Sequence, residues 1–354
     1  MDISSELQQQ VTEALAKNAK LAISAGHSKD FYGGQITGED ISLSSHSGIV
    51  DYDFRELVVT ARAGTTLKEL KQALADNGQM LAFEPPSFAD TATLGGTLAC
   101  GFSGPRRPYL GSARDFLLGT KIINGKAEQL TFGGQVMKNV AGYDLSRLMV
   151  GAMGTLGIIL QASLKVLPKP ECDMTLIQEK TAAEAIEWLN QLAGQNIPLS
   201  ASAHFDGKLF LRFSSFESAV KKSLEKVGGT LLQDDESFWR QLTEHQHDFF
   251  CNEKTLWRIS VPPATPVLNL KGDFLYEWGG AQRWFISHGS QFDSGQIHQS
   301  ALLAGGHATQ FRNANRQADV FQTLPPGLMK VHQHLKASMD PKGLLNPGRL
   351  YQAL

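Results

Sequence analysis

Four glycine-containing loops lie between residues 84 and 168, and this series constrains the fold more than any other feature of the chain. Glycine has no Cβ and adopts positive φ at little cost, so such a loop can bring backbone amides close to a ligand where a larger residue would clash. A single phosphate needs one such loop. Loops spread over about eighty residues indicate an extended, partly anionic ligand. The loops are residues 93–97, 100–105, 133–139 and 154–159.

Length and charge narrow the class of protein. The chain has 354 residues, enough for two domains on the usual prior of roughly 100–200 residues per domain. Its 33 basic and 35 acidic side chains give a formal net charge of -2, and hydrophobic residues make up 42%. This composition is typical of a soluble globular protein, and without a basic excess we expect no nucleic-acid partner.

The cysteines and the apolar segments bear on redox centres and location. Cys100, Cys172 and Cys251 are too far apart in sequence to form an iron–sulfur or zinc motif by themselves, so such a centre would belong to a partner. The first twenty residues lack the basic start and apolar run of a signal peptide and predict a polar amphipathic helix. Residues 148–164 are apolar but contain three glycines and a glutamine, which suits a bilayer span poorly. We therefore expect a cytoplasmic chain without a transmembrane anchor.

Local patterns predict a first domain over residues 1–168. Asn124-Gly125 is a strong hairpin signal between two strand-like runs. Pro168 and Pro170 mark the domain boundary, because each proline removes an amide donor and restricts the residue before it. The predicted elements are strands at 21–24, 41–43, 56–65, 115–123, 127–132 and 156–166, and a helix at 67–76 capped by Thr65 or Thr66.

The second half of the chain has fewer glycines and alternates strand and helix patterns. We interpret it as a domain over residues 169–325 that resembles a split β-α-β unit, with an antiparallel sheet backed by helices. Residues 326–354 are predicted to form a helix and a turn-rich return segment. The predicted elements are strands at 175–178, 201–205 and 208–213, and helices at 182–193, 216–227 and 329–337.

Several of these segments carry a resemblance to a known family. Residues 25–29, 93–105, 154–158 and 340–348 resemble the flavin-binding fold of the vanillyl-alcohol oxidase, or PCMH-type, superfamily. The order of many motifs makes the match specific over nearly the whole chain. It implies an α+β protein: a PCMH-type FAD-binding domain of two α/β subdomains, a smaller cap domain and a C-terminal segment near the flavin. Within the superfamily, residues 101–108, 114–119, 133–145 and 304–309 resemble the FAD-binding E subunits of glycolate oxidases.

The resemblance implies FAD as the cofactor and suggests where it binds. We expect the diphosphate along the amides of residues 25–29, because successive N–H groups form an anion nest without needing lysine or arginine. Gly95, Gly96 and Thr97 are expected to line the ribityl and ring region, and the backbone of Ile158 to hold adenine. The alternative is that the glycines only form turns. The predicted FAD-binding residues are Ala25, Gly26, His27, Ser28, Lys29, Pro86, Gly95, Gly96, Thr97, Cys100, Gly101, Ser103, Gly104, Asn139, Gly157, Ile158 and Asn346.

Two of these residues raise the question of a covalent link. His27 lies where some superfamily members carry the histidine bonded to the flavin 8α-methyl group, whereas many E subunits have glycine there. Three roles stay open for it: a covalent link to FAD, a noncovalent contact, or an exposed loop residue. Cys100, in a run of small residues, is expected to be a packed side chain and not a second tether.

Oxidising a 2-hydroxy acid requires a base for the hydroxyl proton and a cation for the carboxylate. We predict His307 and Arg312 for these roles, with His288, Arg283 and Arg258 as further possibilities. Catalytic relatives carry a longer Gly-His-x-Gly-Asp-Gly-Asn-x-His motif associated with metal and substrate. Residues 306–312 keep a single histidine of it, so no metal site is predicted.

The resemblance implies the FAD-binding subunit of a multi-subunit glycolate oxidase. Such a complex contains a second flavoprotein subunit and an iron–sulfur subunit, and it passes electrons from a short 2-hydroxy acid to a quinone-linked acceptor. Because the substrate motif is truncated, we favour electron relay or assembly over substrate oxidation by this chain, with membrane contact only through partners, at the inner face of the cell membrane. Two alternatives remain: a self-sufficient FAD oxidase of an alcohol or hydroxy acid, and a non-catalytic assembly subunit with a vestigial flavin site.

Overall fold

The computed structural model describes residues 1–134, 144–288, 294–316 and 320–354. The chain divides into two compact units. The first unit is Met1–Ser103, Gly111–Pro168 and Asn315–Leu354, and the second unit is Gly104–Leu110 and Lys169–Ala314.

Helices in both units begin at residues suited to capping. The Thr66 side chain accepts a hydrogen bond from the amide of Glu69, and Thr181 forms a capping box with Glu184, so each pair satisfies amides that the first turn leaves open. No helix in the described part of the chain is long and apolar enough to cross a membrane. The helices are α1 (Ser4–Lys17), α2 (Leu67–Ala75), α3 (Leu94–Cys100), α4 (Arg107–Leu110), α5 (Ala113–Phe116), α6 (Ala182–Ala193), α7 (Glu217–Val227), α8 (Asp235–Thr243), α9 (Ser294–Leu303) and α10 (Pro326–Met339).

The strands alternate with these helices along the chain. Short 3₁₀ turns occur at Arg147–Met149, Asp248–Phe250 and Trp278–Gly280. The strands are β1 (Leu21–Ser24), β2 (Glu39–Ser42), β3 (Ile49–Asp53), β4 (Val58–Arg62), β5 (Gln79–Met80), β6 (Leu117–Ile123), β7 (Gln129–Gly133), β8 (Ile158–Lys165), β9 (Leu167–Pro168), β10 (Cys172–Glu179), β11 (Leu199–Phe205), β12 (Lys208–Ser215), β13 (Thr230–Leu231), β14 (Leu256–Ser260), β15 (Gly272–Glu277), β16 (Gln282–Ser287) and β17 (His307–Arg312).

The first unit is built on a five-stranded antiparallel sheet in the order β3-β4-β8-β6-β7. β1 and β2 form a separate parallel pair, and the loop at residues 25–30 follows β1. Leu345 adds a parallel bridge to Leu21 in β1. The apolar face of α1, with Leu7 and Val11 fully buried, packs into the same core as the sheet. Leu345, near the C-terminus, thus pairs with β1 in the first unit.

Two predicted boundaries around β6 and β7 were wrong. Asp115 lies in α5, where its carboxylate accepts hydrogen bonds from the amide and hydroxyl of Ser112, so the strand begins only at Leu117. β6 and β7 pair as the predicted hairpin, but the loop between them is longer than a two-residue Asn-Gly turn. The loop runs to residue 128, and Ala127 takes the positive φ of 60°. Gly125 packs against Asp340, and a Cβ there would overlap the carboxyl group, so this glycine serves a close approach.

The second unit contains an eight-stranded sheet in the order β13-β10-β12-β11-β15-β16-β14-β17. Every described pairing in it is antiparallel, which confirms the predicted antiparallel sheet. Two apolar clusters cover it, one around Leu209, Leu211 and Phe213 and one around Trp257 and Phe285. These clusters fix the face on which α6, α7 and α9 pack.

Candidate cofactor site

A cavity in the first unit encloses about 760 Å³ of empty space, part of it open to solvent. Its walls come from the end of β1 and the loop after it, from α3, from the loop before β8 and from the C-terminal segment. The lining residues are Ile23, Ser24, Ala25, Gly26, His27, Ser28, Lys29, Asp30, Leu43, Ala63, Thr93, Gly95, Gly96, Ala99, Cys100, Met153, Gly154, Gly157, Ile159, Asn346 and Arg349.

The loop after β1 leaves backbone N–H groups without protein acceptors. His27 has a φ of 55°, and within the described residues the amides of Gly26, His27 and Ser28 donate to no protein group. Two carbonyl oxygens of the loop accept hydrogen bonds within the protein: Gly26 O from Thr91 Oγ1 at 2.5 Å, and Lys29 O from Tyr32 N at 3.1 Å. A loop with free amides and occupied carbonyls can bind an anion through its backbone alone.

Glycine occupies two positions in the cavity wall for different physical reasons. Gly26 packs directly on the backbone carbonyl of Thr91, so any side chain there would overlap it. A Cβ at Gly96 would have only Thr93 Oγ1 near it, at 3.3 Å, and would otherwise enter open space. Gly26 is therefore required by protein packing, and Gly96 leaves room for a ligand.

An unpaired hydroxyl also lies in the cavity wall. Ser24 Oγ is buried and has no hydrogen-bond partner in the described part of the protein. An unpaired buried hydroxyl is unfavourable, so a polar ligand in the cavity would stabilise it. Together with the free amides and the open space at Gly96, this hydroxyl fits a long polar and anionic cofactor.

Charged side chains around the loop are mostly positive. Lys29 is buried, and its Nζ donates to Ser28 Oγ at 3.1 Å and to Ser87 O at 3.2 Å. His27 is exposed, and its Nδ1 lies 2.8 Å from Asp30 Oδ2. Arg349 is buried in the same wall. The wall can therefore receive a negatively charged group.

The cavity brings together many of the residues predicted from the sequence. Asn346 is committed to the backbone, because its Oδ1 accepts from Ile23 N at 2.7 Å and its Nδ2 donates to Met153 O at 2.8 Å. Sequence reasoning missed Ser24, Thr93 and Arg349. The predicted residues in the wall are Ala25, Gly26, His27, Ser28, Lys29, Gly95, Gly96, Cys100, Gly157 and Asn346.

The other predicted cofactor residues lie elsewhere. Thr97 is buried with an unpaired hydroxyl, and Ser103 Oγ accepts from the amide of Ala113. Gly104 belongs to the second unit. Asn139 lies outside the described residues. Those in the first unit but outside the cavity lining are Pro86, Thr97, Gly101, Ser103 and Ile158.

The predicted catalytic residues both lie on β17 in the second unit. His307 begins the strand and is exposed, and partial desolvation and the positive charge of Arg258 lower its pKa. Arg312 ends the strand and is half-buried, which lowers its pKa. Arg283 is fully buried, and its guanidinium donates to the carbonyls of Gly280, Thr265 and Pro266. It holds a loop through these three carbonyls.

Sequence reasoning missed His245, which lies near the same strand. Its ring stacks on Phe250 with 3.9 Å between ring centroids and an interplanar angle of 3°. Burial, followed by the positive charges of Arg312 and Arg258, places its pKa well below the usual value. Among the described residues, no group of three or more His, Cys, Asp or Glu side chains could hold a metal ion.

Comparison with known proteins defines the class first. Residues 4–133 match a family model described as an FAD binding domain. The structure of alkyldihydroxyacetonephosphate synthase superposes with a TM-score of 0.65 at 16% identity, over 97% of this chain and 74% of that chain. The fold and the cavity therefore define an FAD-binding protein.

Similarity over the full length is more specific. The chain belongs to the family of glycolate oxidase subunit GlcE from Escherichia coli, with which it is 45% identical over 353 residues, 100% of this chain and 99% of the relative. Glycolate oxidase subunit GlcD from Bacillus subtilis is 35% identical over 86% of this chain and 77% of its own length. D-lactate dehydrogenase from Archaeoglobus fulgidus is 25% identical over 91% and 84%. FAD is the cofactor of this chain, and the family consists of FAD-dependent hydroxy-acid oxidoreductases.

Proposed function

We propose that this chain is the FAD-binding subunit of a multi-subunit glycolate oxidase and takes part in the oxidation of glycolate to glyoxylate. The observation that carries the proposal is the 45% identity with Escherichia coli GlcE along the entire chain. The free amides in the cavity wall support it, because they indicate a working cofactor site and not a vestigial one.

The cavity suggests how the chain holds FAD. The amides of residues 25–29 would hold the diphosphate, and the Ser24 hydroxyl would bond a polar atom of the cofactor. When bound, FAD supplies the two-electron acceptor for an alcohol carbon. Asp30 occupies Nδ1 of His27, so Nε2 is the nitrogen that contacts FAD or forms a covalent bond to it. The mass of the denatured chain distinguishes these two cases.

The second unit offers groups for a hydroxy acid. Arg312 is a cation for the carboxylate, and its planar guanidinium suits two parallel hydrogen bonds. His307, with its lowered pKa, is neutral near pH 7 and can accept the hydroxyl proton. These roles apply if the chain itself oxidises the acid.

We favour electron relay within a complex over a self-contained reaction. The three cysteines, Cys100, Cys172 and Cys251, are too far apart in sequence to form an iron–sulfur motif by themselves, so the proposed electron path leads from the flavin to a partner that carries an iron–sulfur centre. The proposed partners are that iron–sulfur subunit and a second flavoprotein subunit, which links the complex to a quinone acceptor. The chain then meets the cytoplasmic face of the membrane through these partners.

The visible spectrum of the purified chain tests the proposal. Under anaerobic conditions we expect flavin absorption bands that persist when glycolate is added to the chain alone and bleach when the partner subunits are also present. Acetate, which has no hydroxyl to oxidise, is the matched control ligand.

Either of two results would contradict this expectation. Bleaching of the isolated chain by glycolate would make it a dehydrogenase in its own right, and the His307→Gln and Arg312→Lys variants should then react more slowly. A folded chain without flavin bands, even after incubation with FAD, would contradict a cofactor-binding role.

A further inference from the structure

Two arginines in the last part of the first unit, Asn315–Leu354, bind the backbone next to the loop at residues 25–29. Arg349 Nη1 donates to Gly34 O and Nη2 to Lys29 O, each at 3.2 Å. Arg316 Nε donates to Gly33 O at 2.9 Å and Nη2 to Gly34 O at 3.1 Å. Three carbonyls within residues 29–34 are therefore occupied by guanidinium groups.

Backbone hydrogen bonds reinforce this arrangement. Gly34 N donates to Arg349 O at 2.8 Å, and Gln35 N donates to Arg316 O at 3.2 Å. Each arginine is thus anchored at its own backbone and reaches the loop with its side chain. A planar guanidinium can span two carbonyls at once, whereas an ammonium group on a lysine stem cannot reproduce that geometry.

The guanidinium of Arg349 also brings positive charge to the cavity wall, and the charge of Arg316 acts on it. Arg349 is only 7% exposed, and burial lowers its pKa, with Arg316 nearby adding to the effect. In the described residues neither arginine has a carboxylate within ion-pair distance. Asp30 is the acidic group in the cavity wall, and it is bonded to His27. Asp30 acts on both arginines at longer range, since its charge raises the pKa of each. An anionic ligand would offset the remaining cost of burying Arg349.

We propose that Arg349 is a positioning residue for FAD: it occupies the carbonyl oxygens of Lys29 and Gly34 so that the loop presents N–H groups to the diphosphate, and with Arg316 it supplies the counter-charge. This rests on the proposed placement of the diphosphate at residues 25–29. The C-terminal segment then takes part in cofactor affinity as well as in folding.

Titration of the apoprotein with two flavins tests the inference. The His27→Ala background removes any bond to the ring, so affinities are measured at equilibrium. FAD and riboflavin are the probes, because riboflavin carries the same ring without the diphosphate. In Arg349→Ala we expect the FAD dissociation constant to rise roughly tenfold to a hundredfold, as for lost hydrogen bonds to a charged group, with riboflavin affinity unchanged.

The matched variants separate geometry from charge. Arg349→Lys keeps the charge but loses the two-carbonyl span, so it should restore only part of the FAD affinity. Arg55→Ala removes an exposed arginine outside the cavity wall and should leave both affinities unchanged. Arg316→Ala should weaken FAD as Arg349→Ala does, and it carries the test if Arg349→Ala does not fold.

Unchanged FAD affinity in both alanine variants would overturn the inference. Equal weakening of FAD and riboflavin would also overturn it, because that result indicates a general structural defect. The outcome is independent of the reaction. Bleaching of the isolated chain by glycolate contradicts only the proposed electron relay, and unchanged FAD affinity contradicts only the role of Arg349.

Discussion

At the scale of a single residue, the burial of His245 predicts how stability depends on pH. This residue is buried against Phe250 and Trp284 and has a pKa well below the usual 6.5. The folded protein keeps the ring neutral, whereas the unfolded chain binds a proton below about pH 6.5. The contribution of His245 to the free energy of unfolding should therefore be fully present above about pH 6.5. Below that pH it should decrease, by at most about 1.4 kcal/mol per pH unit.

Urea unfolding at pH 7 and pH 5 measures this effect. His245→Phe keeps the aromatic packing and should lose less stability between the two pH values than the parent protein. Some dependence should remain, because burial also lowers the pKa of His46, His204 and His298. His334→Ala, on an exposed turn of α10, is the control. An identical pH dependence in His245→Phe and the parent would show that the ring is protonated in the folded state.

Sequence reasoning at this scale found residues whose role depends on local pattern. The loop at residues 25–29 lies in the cavity wall, and the sequence pointed to it because successive amides in a short loop are a local feature. Arg349 could not be predicted, because its partners are carbonyls more than 300 positions away along the chain. The unpaired state of Ser24 Oγ likewise depends on the tertiary surroundings and has no sequence signal.

At the scale of an element, the contacts of helix α10 predict the effect of a substitution on stability. The helix packs against other parts of the first unit through Lys336, whose Nζ donates to Thr155 O, Leu345 O and Asp340 Oδ2 at 2.7, 2.9 and 2.7 Å. Lys336→Met would leave the fully buried Asp340 carboxylate without its cation. We expect a loss of roughly 3–5 kcal/mol in the free energy of unfolding, measured by urea titration.

Lys330→Met on the same helix is the matched control. Lys330 is exposed, so its replacement should change stability by less than about 0.5 kcal/mol. Equal losses in the two variants would mean that the Lys336 contacts contribute little to docking of the helix.

Elements were predictable where capping and periodicity determine them. The predicted helix at 182–193 has the same bounds as α6, because the Thr181–Glu184 capping box fixes its start. The hairpin of β6 and β7 was predicted correctly, but its loop is longer than the Asn124-Gly125 turn, and Gly125 packs against Asp340 of the C-terminal segment.

At the scale of the whole molecule, the segment at residues 104–110 belongs to the second unit although both of its neighbours in sequence belong to the first. Arg106 anchors it by donating to both carboxylate oxygens of Asp173, at 3.1 and 3.0 Å, and to Ser214 Oγ at 2.9 Å. Trp278 Nε1 donates to Gly104 O at 3.1 Å. We expect Arg106→Leu to increase amide hydrogen exchange in residues 104–110.

Arg107→Leu serves as the comparison for that experiment. Arg107 is exposed and lies over the Trp278 ring at 4.3 Å, so its loss should raise exchange much less. Similar exchange in the two variants would show that Arg106 does not hold the segment.

The fold class and the antiparallel sheet of the second unit could be predicted from the sequence, because glycine loops and strand patterns report on local backbone demands. The placement of residues 104–110 could not, since it depends on one buried arginine meeting Asp173 across many intervening residues.

The route of the chain through the first unit also has a consequence for biogenesis. Leu345, Asn346 and Arg349 join β1 and the wall of a cavity whose other lining residues lie between 23 and 159. A ribosome makes all of residues 169–314 before it reaches them, and domains fold largely as units in the order of their synthesis. A ribosome that stalls after residue 314 would leave the second unit fully synthesised and the cavity of the first unit incomplete. If FAD binds in this cavity, we expect its capture to follow synthesis of the last residues of the chain.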